Sequence, residues 1–137
     1  LLLGIVAMAQ PVKKSQEEFE KGYQAFIIQQ AQLTEKEAAA FFPIYKECQK
    51  KKNELNSQIW KLRREVRGKE LKEADYQRIL EEIAKLRIQA DELEKEYLPK
   101  YHKVLSYKKI FEVQGAESRF HREMLRGINH QKRGKGK

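Results

Sequence analysis

At 137 residues the chain fits one domain, and its single cysteine excludes an internal disulfide. Charged residues make up 36% and hydrophobic residues 40%, with only seven Gly and three Pro, a balance that favours long helices over a compact mixed fold. The net charge of +9 points toward acidic or anionic partners.

The first residues, LLLGIVAMAQ, are apolar and uncharged, unlike everything that follows. Ala7-Met8-Ala9 places small residues where a signal peptidase needs them. Residues 1–9 therefore read as the remainder of a signal peptide, and the alternative is a buried first element. The run falls short of the roughly 20 apolar residues that span a bilayer. No cysteine follows the cleavage site to carry a lipid.

A first helix is expected from about Gln16 to Ala31, with Phe19, Tyr23, Phe26 and Ile27 on one face and Gly22 as a weak point. Leu33-Thr34-Glu35-Lys36-Glu37 then marks a helix start. The Thr34 hydroxyl can accept from the Glu37 N–H, Glu37 can reach back to the Thr34 N–H, and Leu33 can act as the staple before this capping box. From Glu35 the apolar positions step by three and four: Ala38, Phe41, Tyr45, Cys48, Leu55, Ile59, Leu62, Val66, broken once at Lys52. Cys48 lies on this seam and reads as core.

Arg67-Gly68-Lys69 supplies the glycine for a left-handed C-cap. A third helix is expected from near Ala74, with a seam of Tyr76, Ile79, Ile83, Leu86, Ala90, Leu93 and Tyr97, widened by Leu80. Two long helices joined by a short loop pack antiparallel. Pro43 and Pro99 fall at similar distances from Gly68 and predict a bend in both arms of the hairpin. Ser106 reads as the N-cap of a fourth helix, whose apolar face is Ile110, Val113, Phe120, Met124 and Ile128. Residues 129–137 read as a basic, flexible tail, leaving 10–128 as the folded domain.

Leu33-Thr34-x-x-Glu37 and Leu105-Ser106-x-x-Lys109 form a repeat, each opening a helix after a turn. With the export signal, the four helices and the central hairpin, LTEKEAAAFFPIYKECQKKKNEL and VLSYKKIFEVQGAESRFHREML resemble the two motif regions of the LTxxQ family of Spy and CpxP periplasmic proteins, as a divergent branch. Glu37 and Lys109 stand where that motif has Gln. Glu37 can close a capping box, whereas Lys109 cannot. The resemblance implies a cradle-shaped antiparallel dimer in the periplasm of a Gram-negative bacterium. It further implies ATP-independent binding of unfolded envelope proteins through a basic, partly apolar face. CpxP-like members also inhibit a membrane sensor kinase, and other relatives are metal-responsive sensors.

Two basic clusters stand out. Lys61, Arg63, Arg64, Arg67, Lys69 and Lys72 surround the hairpin tip, and Arg119, Arg122, Arg126, Lys132, Arg133, Lys135 and Lys137 follow Ser118 against Glu123 alone. Such clusters attract acidic clients or anionic lipid headgroups, while export and the absence of a recognition motif argue against nucleic acid. Trp60, next to seam residue Ile59, either packs at the seam edge or stands out as an anchor for a client. His102, His121 and His130 show no ligand spacing, and a Glu117–His121 pair four residues apart reads as a surface pair, so neither a metal nor another cofactor is expected. With no phosphate loop and no nucleophile–base pair, the chain reads as a non-enzyme. The expected function is an envelope chaperone or stress adaptor. The alternatives are a regulatory module docking to a membrane stress sensor or anti-sigma factor, or a metal-responsive sensor.

Overall fold

The structure is a computed structural model and describes residues 10–135. Those residues are all-helical: α1 (Gln10–Ala31), α2 (Glu35–Val66), α3 (Glu73–His102) and α4 (Tyr107–Lys135). The signal-peptide reading of residues 1–9, with its Ala7-Met8-Ala9 site, lies outside the described residues. The described part divides into two compact units, residues 10–38 with 106–135, and residues 39–105.

The first unit is the pair α1 and α4 with the opening turn of α2. Helix α1 begins at Gln10, earlier than the expected start near Gln16. Phe120 of α4 meets α1 through three rings, with centroids 5.8 Å from Phe19, 4.8 Å from Tyr23 and 5.4 Å from Phe26. Ile27, Ala31, Ile110, Val113 and Ala116 are buried. Helix α1 ends in a Schellman turn: Leu33 N–H donates to the Ile28 carbonyl at 3.0 Å, and Gln32 takes the left-handed conformation with φ 53°.

Two expectations for this unit are corrected. The apolar face of α4 does not stay covered along its length, since Met124 and Ile128 are exposed. Helix α4 also runs on through Lys135, where a flexible tail was expected from residue 129. Gln, Lys and Arg are good helix formers, and cations near a helix C-terminus complement its dipole.

The second unit is the antiparallel hairpin formed by the rest of α2 with α3. Near the turn its core is Ile59, Ile83 and Leu86, flanked by half-buried Leu55, Leu62 and Ile79. Farther out the seam becomes aromatic: Phe41, Phe42 and Tyr45 of α2 and Tyr97 and Tyr101 of α3 are buried, and the Phe41 and Tyr101 centroids are 5.1 Å apart. Cys48 is fully buried, as its seam position requires. Lys52, the break in the α2 seam, pairs with Glu94 of α3 at 2.5 Å, which explains why a cation is tolerated there. Leu80 does not widen the seam; it is 63% exposed. Both helices run through their prolines, and Pro43 and Pro99 are both exposed, so the carbonyls that lose a donor lie on the watered side.

Candidate functional site

Each repeat of the Leu-Ser/Thr motif folds as a helix cap. Thr34 Oγ1 accepts from the Glu37 N–H at 3.1 Å while Glu37 Oε1 accepts from the Thr34 N–H at 3.0 Å, closing the reciprocal box. In the second copy Ser106 Oγ accepts from the Lys109 N–H at 3.2 Å. Leu33 and Leu105 are both buried, whereas Thr34 and Ser106 stay exposed.

The two departures from a Gln motif meet each other. Lys109 Nζ donates to Glu37 Oε1 at 2.6 Å and to the Gln32 carbonyl at 3.1 Å. One carboxylate oxygen thus serves the start of α2 and receives the cation from α4, while the same ammonium caps the end of α1. The Lys109 ammonium, and after it the Thr34 N–H, hold the Glu37 carboxyl below its usual pKa. Sequence reasoning treated the two substitutions separately. Their opposite signs at equivalent repeat positions were the available signal.

The hairpin tip is a different kind of surface. Gly68, with φ 78°, makes the left-handed turn after Val66, and the Tyr76 hydroxyl accepts from the Leu71 N–H at 3.2 Å to hold the returning chain. Trp60 is 63% exposed, which settles it as an outward residue rather than a seam-edge one. Lys61, Arg63, Arg64 and Arg67 are exposed as well. Arg63 and Arg64 lie three and four residues beyond Trp60 and share its side of α2. Lys61 is about 100° round the helix and Arg67 lies in the turn, so the five residues form a cluster rather than one row. On α3, Leu80, Ala84 and Ile88 follow at four-residue steps and are all exposed. Trp60 and Leu80 each come directly after a seam residue, Ile59 and Ile79. In an antiparallel pair that offset turns both to the same face of the hairpin.

The opposite edge of the seam carries an open groove of about 340 Å³, with Glu54, Gln58, Glu92 and Glu96 along it and Lys51 at one end. Among the described residues no three His, Cys, Asp or Glu side chains come together in a form that could hold a metal. His102 Nδ1 lies 3.1 Å from the Leu105 carbonyl, and the His121 ring packs beside Tyr23 and Phe120. No helix among the described residues is long and apolar enough to cross a membrane. Comparison of the chain with protein-family models, with curated proteins and with solved structures finds no match.

Proposed function

We propose that this chain is an ATP-independent, chaperone-like protein or stress adaptor of the bacterial periplasm, which binds unfolded or acidic envelope proteins and catalyses nothing. The observation that carries this reading is Trp60, exposed beside Arg63 and Arg64 while Phe41, Phe42, Tyr45, Tyr97 and Tyr101 of the hairpin are buried. A large ring next to guanidinium groups is the composition of a binding hot spot. Leu80 and Ile88 extend the apolar surface, and separated charges of one sign favour partners of the other. The paired motif caps add support for the resemblance to the Spy and CpxP proteins.

The reading includes a homodimer. Tyr107 and Phe111, four residues apart on α4, are exposed, and a two-fold pairing is the commonest way to cover such surfaces. Sedimentation equilibrium at tens of micromolar is expected to give twice the chain mass, and a monomer there would remove the dimer from the proposal.

The functional test is light scattering from a reductant-denatured client protein with and without this chain. Suppression near equal molar ratio is the expected result. No suppression, together with specific capture of one membrane protein, would favour a regulatory module instead.

A further inference from the structure

The outer surface of α4 carries a feature that the proposed function leaves unused. Arg119, Arg122 and Arg126, spaced by three and four residues, line one shallow hollow of about 200 Å³ with Glu123. Arg133 repeats the spacing seven residues on. All four arginines are exposed, and among the described residues none is paired with a carboxylate. The row of cations runs about 20 Å along the helix, at 1.5 Å per residue.

Beside this row lie aliphatic side chains without cover. Leu125 is 62% exposed, Ile128 45% and Met124 38%. Leu125 and Ile128 share one side of the helix, and Leu125 is about 60° round from Arg122. The opposite helix adds Phe19, 53% exposed. The end of the α1–α4 pair away from the motif caps therefore presents an apolar strip edged by guanidinium groups.

We propose that this end of α4 is a docking surface for an anionic phospholipid bilayer. Guanidinium groups match phosphate oxygens in geometry and charge, and a row spaced along a helix suits a field of headgroups better than a single anion. Leu125, Ile128 and Met124 can enter the headgroup–acyl boundary while the arginines stay at the phosphate level, the division of labour of an interfacial amphipathic helix. The uncovered residues of α4 at this end, Met124, Leu125 and Ile128, are not aromatic, which suits acyl chains, whereas a single-stranded nucleic acid would call for a series of aromatic platforms. An acidic protein would satisfy the arginines and leave the aliphatic strip unused.

The test uses the full chain with large vesicles of phosphatidylcholine containing phosphatidylglycerol, and with vesicles of phosphatidylcholine alone, read by co-sedimentation. Binding to the first and little to the second is expected. The variant Arg119→Gln/Arg122→Gln/Arg126→Gln should bind on the order of a hundredfold more weakly, from about fivefold per cation near an anionic surface. Leu125→Gln/Ile128→Gln should also lose vesicle binding, and circular dichroism should show both variants to be as helical as the parent. Polyglutamate is the competing probe. Equal binding of all three proteins to the anionic vesicles overturns the proposal. So does a parent that binds polyglutamate but not vesicles, which would assign the arginines to an acidic polypeptide. Either result leaves the client-binding reading untouched, because that reading rests on the hairpin tip.

Discussion

Glu37 and Lys109 are partly exposed, yet each has several jobs. The carboxylate closes a capping box and receives the ammonium, and the ammonium also donates to the Gln32 carbonyl just past the end of α1. Because Glu37 titrates below its usual range, its contribution is present at neutral pH, above the unfolded pKa, and is lost as pH falls through the lowered folded value. Glu37→Gln is therefore expected to lower the urea midpoint at neutral pH and to match the parent in acid below the carboxylate range. A constant difference across both conditions would sink the assignment. Gln32 offers the reverse case. It holds a left-handed conformation that glycine adopts without cost, so Gln32→Gly should stabilise the protein by about 0.5–1 kcal/mol, measured by thermal unfolding. The Lys109 bond to the residue 32 carbonyl survives that change, since it uses the main chain.

At the scale of the helices, burial separates residues that a periodic reading treats alike. Leu86 is 3% exposed and Leu80 63%, although both are leucines in one helix. Leu86→Ala is expected to cost about 2–4 kcal/mol and Leu80→Ala less than about 0.5 kcal/mol in chemical denaturation. Leu55 and Leu62, on the seam but only half-buried, should fall between them. The heptad rhythm and caps made the hairpin, its turn and three of the helix boundaries legible, because local spacing dictates them. Phe42, one residue off the expected seam, is buried against Phe41 and Tyr45, and Tyr101 carries the α3 seam four residues beyond Tyr97. The fate of Met124, Leu125 and Ile128 was not legible: apolar periodicity says which side of a helix could be buried, and only the length of the neighbouring helix and its contacts say whether it is. The outward stance of Trp60 was likewise left open by its place one residue after the seam.

Across the whole molecule, cations gather in two places, at the hairpin tip and along α4, and the two are assigned different partners. Changing Lys61, Arg63, Arg64 and Arg67 together to Gln should leave helicity unchanged, because the four are exposed and Gln is a good helix former. The variant should suppress client aggregation less well, with the deficit greatest at low salt, since the screening length is already near 8 Å at about 0.15 M. Equal suppression by variant and parent at low salt would mean that the tip cations only keep the hairpin solvated. Vesicle binding should survive in this variant, and client suppression should survive in the α4 arginine variant. A crossed result, with either loss appearing in the other assay, would merge the two surfaces into one.

The position of Trp60 has a spectroscopic consequence. It is the chain's sole tryptophan, and most of its side chain is in water in the folded state. Its emission should already be red-shifted before any denaturant is added, so unfolding will change its wavelength little. The same property makes it a clean optical probe with no engineering. Anything that covers the hairpin tip should shift the emission to the blue, while a ligand seated on α4 alone should leave the colour of that one indole unchanged.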